Sequence, residues 1–271
     1  MIRRDMAEQY TIGYGEAADR WMRDRTAAVD AAFFLPHLRR GARVLDVGCG
    51  PGSITVGLAE AVAPGEVIGV DCEPLQIERA AALAEGRALA NVRFEVADAY
   101  DLPYPDASFD AVLAHFLLGN LHEPVRAIRE FRRVLRPGGV AGVLDTDWGF
   151  WIVEPTTPLL QVFQTVLVRA VQYCGASPYY ARGQRRLLLE AGFRRAEGYA
   201  RVGHQGTPER TRLAAENLEA RLRAPAVWQA ILAEGWVDTV TLEAICAELH
   251  TWAERPDAFQ VALRCFALAW A

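Results

Sequence analysis

The 271-residue chain contains no lysine: all 29 of its basic Lys and Arg positions are arginine. That absence excludes a Schiff-base lysine, a phosphate-binding P-loop lysine and a lysine general base. Codon bias in a GC-rich genome accounts for it without any functional demand. Cysteine is sparse as well. Cys49, Cys72, Cys174, Cys246 and Cys265 are odd in number and contain no C-x-x-C pair, which argues against a zinc site or a disulfide framework. A reducing cytoplasm fits that pattern. No segment approaches the roughly 20 apolar residues that span a bilayer, and the N-terminal stretch MIRRDMAEQYTIGYGEAADR has no apolar h-region of a signal peptide. Positive charge is in deficit: the formal net charge is -5, so nucleic acid is not an expected partner.

What is present describes a folded domain. The chain is 52% hydrophobic and 23% charged, enough to bury a sizeable core. Apolar periodicity predicts a helix over residues 16–39, closed by Pro36 and Gly41. Short branched runs at 43–47, 67–70, 92–96, 109–114 and 140–145 read as buried parallel strands. Helical patterns at 54–62, 74–89 and 124–135 fall between them, the last stopped by Pro137, Gly138 and Gly139. Such alternation means βαβ units. Beyond Asp145, helices are expected at 159–173 and 183–191, a strand at 193–202, helices through 208–254 and a returning strand, or a helix, at 258–270. The expected fold is α/β: a Rossmann-like, doubly wound, seven-stranded, mostly parallel sheet in a single domain. Residues 1–40 would form a helical N-terminal lid, 41–202 and 256–271 the core, and 203–255 a helical insertion before the last strand.

The informative cluster is Val44-Leu-Asp46-Val-Gly48-Cys49-Gly50-Pro-Gly52-Ser53. Glycines in a strand-to-helix turn let the backbone approach a ligand where a Cβ would intrude. The spacing is G-x-G-x-G, with Ser53 where a dinucleotide fingerprint places its last glycine. Asp46 is a poor neighbour for a pyrophosphate and a good one for an ammonium or sulfonium, and no lysine is available to neutralise phosphates. Asp71 follows the second strand, where an acid accepts hydrogen bonds from ribose hydroxyls. Asp98, in Ala97-Asp98-Ala99, follows the third strand and suits an exocyclic adenine amine. Both acids fall at carboxyl ends of strands, where open α/β sheets bind ligands. The turn therefore reads as a site for a nucleoside with a cationic tail.

The order VLDVGCGPGS, VIGVDCEP, VRFEVADAYDLPYPDASFDAVLAHFLLGNL and EFRRVLRPGGV resembles the class I S-adenosylmethionine-dependent methyltransferases of the UbiE-like, type 11 group, over residues 41–146. The resemblance implies S-adenosyl-L-methionine as cofactor. It implies that Asp46, Gly48, Cys49 and Gly50 line its methionine end, Asp71 and Cys72 its ribose, and Asp98 and Ala99 its adenine, with His115 beneath it. Tyr10-Thr-Ile-Gly13-Tyr14-Gly15 is similar to a Y-x-x-G-x-S segment that some members place over the cofactor, with glycine standing where serine is usual.

Methyl transfer from a sulfonium uses an already activated donor, so the protein must hold nucleophile and methyl roughly 3–3.5 Å apart, in line, and exclude water. A base is required only for a phenol, alcohol or acidic carbon. His115 is the best-placed base by sequence, and Asp145 and Asp147, after the fifth strand, are candidates for touching substrate, Asp147 the second catalytic candidate. Trp148, Trp151, Tyr179 and His204 are the expected acceptor contacts; an aromatic wall suits a planar acceptor and steadies a sulfonium by cation–π attraction. No metal is expected, since two acids without a nearby histidine are thin support. The leading function is methylation of a small molecule on O, N or C by a monomer or homodimer. Alternatives are a cofactor-binding enzyme of the same fold that catalyses rearrangement or cyclisation, a nicotinamide-dependent oxidoreductase, and a protein-binding module that has lost its cofactor.

Overall fold

A computed structural model describes residues 16–271. Tyr10 and Tyr14 lie outside the described residues. The sheet has seven strands in the order β3-β2-β1-β4-β5-β7-β6. They are β1 (Val44–Val47), β2 (Val67–Asp71), β3 (Val92–Val96), β4 (Phe109–His115), β5 (Leu135–Glu154), β6 (Arg195–Gln205) and β7 (Phe259–Trp270). Strands β1 to β5 pair in parallel, and β7 runs antiparallel to both β5 and β6. All four residues of β1 are buried, as expected of a central strand covered on both faces. The strand order reverses between β1 and β4. Open α/β sheets bind ligands at such a switch point, outside the carboxyl ends of the strands.

Helices α3 (Ser53–Val62), α4 (Pro74–Gly86), α5 (Pro124–Val134) and α7 (Gln184–Glu190) pack on the sheet. Phe109, Phe131, Ile128, Leu45 and Ile68 fill one side of the sheet, and Phe34, Leu58, Val62 and Leu113 the other. A second core lies apart from these. There α6 (Pro158–Tyr173), α8 (Pro208–Arg223), α9 (Pro225–Ala233) and α10 (Thr239–Ala253) bury Phe163, Leu167, Leu222, Ile245 and Trp252. The cap thus draws on α6 as well as on the helices that precede the last strand.

The single helix expected over 16–39 is broken. It resolves into α1 (Glu16–Arg23), α2 (Ala27–Asp30) and a 3₁₀ turn at Leu35–His37. The break has a local cause: Asp30 turns its carboxylate back onto the Thr26 amide at 3.0 Å, which starts a new helix, and Pro36 sits in the first turn of the 3₁₀ segment. The fifth strand differs more. It continues through Asp147 to Glu154 because β7 pairs along its whole length, with an irregularity between Asp147 and Trp151. The returning segment is a strand, and β6 extends to Gln205, so Gly203 and His204 belong to the sheet.

Candidate active site

The turn after β1 places Gly48, Gly50 and Gly52 at positive φ, 73°, 53° and 79°. Gly52 has a packing reason too, since a Cβ there would stand 2.8 Å from the Ala80 Cβ of α4. The turn opens on a cleft at the switch point, lined among others by Asp46, Gly48, Cys49, Gly50, Asp71, Cys72, Gln76, Asp98, Ala99 and His115. The expected cofactor contacts that fall within the described residues therefore converge on one space. Ser53 donates 2.7 Å to the Met22 carbonyl, tying the turn to α1, whose Met22 lines the same cleft.

Asp46 is 2% exposed and accepts from the Thr55 hydroxyl at 2.6 Å. Burial pushes its carboxyl up to about 7, against the lowering by Thr55, with the neighbouring charge of Asp71 adding to the rise. Asp71 is also raised, first by burial; the Glu73 amide (3.0 Å) and the Gly50 amide (2.9 Å) donate to its two oxygens and oppose the shift. The Cys72 amide lowers it as well; a carboxylate has about four lone-pair sites, which leaves room for a hydroxyl donor. Asp98 is exposed and accepts from the Tyr100 amide at 2.8 Å through Oδ1. Cys49 is buried with its thiol pushed well up by burial, a packed side chain beside Gly69.

Two groups in the cleft lack hydrogen-bond partners among the described residues, although Asp30 Oδ1 lies 4.0 Å from His115 Nε2. Gln76, on α4, is fully buried with both amide atoms unsatisfied, and both ring nitrogens of His115 are in the same condition. Buried polar groups ordinarily find partners. Together with the buried acid Asp46, which has no cation beside it among the described residues, they fit a ligand carrying an ammonium group, hydroxyls and a polar heterocycle. Nothing in the sequence marked Gln76, one glutamine on an ordinary helix.

A second cavity adjoins the first and shares Arg25, Phe116 and Asn120 with it. Trp21, Asp145, Thr146, Trp148, Gln205, Asn217, Arg221, Gln260 and Arg264 are among its other lining residues. Strand periodicity places several of the sheet residues among them. In antiparallel pairs Thr146 faces Arg264, Gly203 faces Ala262 and Gln205 faces Gln260, so these residues share one side of the sheet. Phe116 stands between the cavities at φ 55°, and its carbonyl accepts from the Asn120 side chain at 2.9 Å. A non-glycine residue in that region is sparsely populated and is found where surrounding contacts over-determine it.

The same periodicity corrects several expectations. Asp147 falls on the opposite side from Thr146, fully buried, where both carboxylate oxygens are held by the Arg182 guanidinium (Nη2 to Oδ1 2.6 Å) and the Gly149 amide donates at 2.9 Å. It lines neither cavity and has no free face for catalysis. Asp147→Asn should cost about 2 kcal/mol of stability through its charged hydrogen bonds while cofactor affinity stays unchanged, read by urea unfolding and titration. His204 is exposed and paired with Val261, turned away from the cavity that Gly203 and Gln205 line. Trp151 packs on Phe163 at 5.3 Å in the cap core. Tyr179 is 43% exposed under the Arg182 guanidinium. Of the four expected acceptor contacts, only Trp148 lines the second cavity. His115 lines the cofactor cleft and not this cavity, and burial, followed by Arg25, Arg264 and Arg201, drives its basicity well below the ordinary imidazole range. Burial thus favours the neutral ring.

Arg25, Phe116, Asn120 and Arg264 were missed. For three of them no sequence signal stands out. Arg264 did carry one, as the lone charge in the apolar strand Phe259–Trp270. Among the described residues no group of three or more His, Cys, Asp or Glu is arranged to hold a metal, and no helix is long and apolar enough to cross a membrane.

A glycine turn at a switch point, with acids at the ends of β1 and β2 and beyond β3, defines a nucleoside-cofactor domain of the Rossmann-like class. Comparison with known proteins carries this further. A methyltransferase domain model matches residues 44–139. A probable methyltransferase, LtbC of Aspergillus luteorubrus, is 30% identical over 287 aligned residues, covering 100% of both chains. Among solved structures, the YcgJ protein of Bacillus subtilis superposes with TM-score 0.60 at 18% identity, covering 89% of this chain and 97% of that one. The [4+2]-cyclase SpnF superposes with TM-score 0.51 at 26% identity, covering 96% and 85%. The chain belongs to the class I S-adenosylmethionine-dependent methyltransferases.

Proposed function

We propose that the chain methylates an O, N or C atom of a small-molecule acceptor seated in the second cavity. The observation that carries this reading is the adjoining pair of cavities, which share Arg25, Phe116 and Asn120. S-Adenosylmethionine, when bound, supplies a methyl group already activated on a sulfonium. The chain's own task is to orient the reactants and exclude water. In this reading Asp46 meets the cationic tail, Asp71 takes the ribose hydroxyls with Cys72 alongside, and Asp98 and Ala99 meet the adenine. Gly48, Cys49 and Gly50 bring backbone against the methionine end, and His115 and Gln76 give the ligand neutral hydrogen-bonding partners. Met22 lines the first cavity, Trp21 the second and Arg25 both, on and just after α1, which supports a lid role for this segment. Five cysteines outside any disulfide, two of them not buried, support a reducing compartment, the cytoplasm.

The test is direct. Titration should give S-adenosylhomocysteine tight binding and NAD(P) little, and an acceptor panel incubated with S-adenosylmethionine should yield a product heavier by one methyl. Asp71→Ala should weaken S-adenosylhomocysteine by more than roughly 1.5 kcal/mol, the loss of a charge-assisted hydrogen bond; unchanged affinity would remove the ribose assignment. A second reading is supported by the 26% identity to a protein described as a [4+2]-cyclase: the cofactor binds as a fixed charge and the acceptor rearranges. Product formation without added mass would favour it.

A further inference from the structure

The second cavity holds buried oxygens that no donor among the described residues satisfies. Asn217, on α8, lines it at 6% exposure, and its Oδ1 has no hydrogen-bond partner. Its Nδ2 donates to the Leu213 carbonyl at 2.7 Å, so the oxygen is the end of the amide left over. Gln260, near the start of β7, lines the cavity at 8% exposure with Oε1 in the same condition. Asp145 is 4% exposed, and its Oδ2 is unpartnered as well. It stands one residue beyond the last pairing of β4 with β5, His115 with Leu144. Gly119 approaches it there so closely that a Cβ would lie 3.0 Å from Oδ1. Among the described residues, every fully buried side-chain atom of this lining that lacks a partner is an oxygen. Buried acceptors left without donors cost free energy, which a ligand offering hydroxyl hydrogens would offset.

Strand register sets the spacing of these oxygens. Asp145 pairs with Cys265, five residues along β7 from Gln260, which is about 17 Å of extended strand. Asp145 lies against Gly119, next to the Asn120 that both cavities share, whereas Gln260 lines only the second cavity. Trp21, Phe116 and Trp148 add ring surface to the same lining, which suits an aromatic ligand. Burial pushes the Asp145 carboxyl well up, against the Gly119 amide, the Arg25 charge and the Gln184 side chain. A carboxyl held toward its neutral form suits a neutral hydroxyl better than an ammonium group. We propose that the second cavity takes an elongated, neutral aromatic acceptor bearing hydroxyl groups at both ends, which donate to Asp145 Oδ2 beside the cofactor cleft and to the amide oxygens of Asn217 and Gln260 away from it. The proposal rests on the methyl-transfer reading only in naming this ligand the acceptor; its binding chemistry does not depend on transfer.

Equilibrium dialysis of the full chain, with and without S-adenosylhomocysteine, tests this with four probes of one shape. They are 4,4′-dihydroxybiphenyl, 4,4′-difluorobiphenyl, which has no donor, biphenyl-4,4′-dicarboxylate, an anion that only accepts, and 4,4′-bis(aminomethyl)biphenyl, a cationic donor. The diol should bind at least about tenfold tighter than each of the other three, the effect of one or more buried hydrogen bonds. Asn217→Leu should shrink the ratio of diol to difluoro affinity by about fivefold or more, through weaker diol binding alone. If that variant unfolds, Gln260→Met carries the same measurement. Equal affinities, a tighter difluoro or charged probe, no binding of any probe, or an unchanged ratio in the folded variant would each overturn the proposal. Failure of S-adenosylhomocysteine to bind, with the diol preference intact, would sink the methyl-transfer reading instead.

Discussion

Asp46→Asn should weaken S-adenosylhomocysteine binding at pH 8 by about 30-fold, equivalent to roughly 2 kcal/mol for a lost charge-assisted contact. The same change should remove a pH dependence that the parent protein shows. Asp46 is buried at the base of the turn, and its carboxyl titrates at about 7, above the ordinary value of 3.8, chiefly because burial penalises the charge. A cationic tail binds the charged form. Below pH 7 the proton must therefore leave before or as the ligand arrives, and affinity should rise by up to tenfold per pH unit toward 7, then level off. The sign for folding is the reverse. With its folded value above the unfolded one, Asp46 makes the ligand-free protein less stable as pH rises from about 4 through 7. Calorimetry from pH 5.5 to 8.5, in buffers of different ionisation enthalpy, reads both affinity and proton release. A flat pH profile in the parent, or full affinity in Asp46→Asn, would show that the cation does not sit there.

Gly50→Val is expected to abolish measurable cofactor binding, a loss of more than about 100-fold, in a protein that still folds. Two causes combine. Gly50 has φ 53°, and a β-branched residue in that region costs on the order of 1–3 kcal/mol. Its amide also donates to Asp71 at 2.9 Å, so relaxing the turn releases the acid proposed to take the ribose hydroxyls. The nearest atom to an added Cβ is the Met22 Sδ at 3.5 Å, an ordinary contact that leaves the core intact. Gly52 is the informative contrast: a Cβ there would collide with Ala80 and Phe94, so Gly52→Val should lower the melting temperature as well. Circular dichroism melts beside titrations distinguish the two. If Gly50→Val binds normally, close backbone approach is not what the turn provides.

The sequence was most legible where a residue's role depends on its near neighbours. The alternation of strands and helices, the glycine spacing and the acids at strand ends all reside within short stretches, and the structure brings Asp46, Asp71, Asp98 and His115 to one cleft. It was least legible where the role depends on which way a strand residue points. The long β5 shows this: the sequence offered Asp145, Asp147, Trp148 and Trp151 in the segment following the fifth strand, whereas pairing with β7 sends Asp147 to Arg182 and Trp151 to the cap, and Trp148, in the irregularity between them, lines the cavity. Likewise His204 and Gln205 are adjacent in sequence and face opposite ways, a difference fixed by register with Val261 and Gln260.

By itself, then, the sequence determined the class of fold and the cofactor-side turn, because βαβ rhythm, glycine spacing and a missing lysine are properties of the chain. Only the tertiary structure assembled the second cavity, proposed here for the acceptor. That cavity is assembled from Arg25, Phe116, Trp148, Arg221 and Arg264, residues far apart in sequence. The physical reason is that strand register, a long-range pairing, assigns each side chain its face, and a charge such as Arg264 acquires its meaning only from the arginines and rings packed around it.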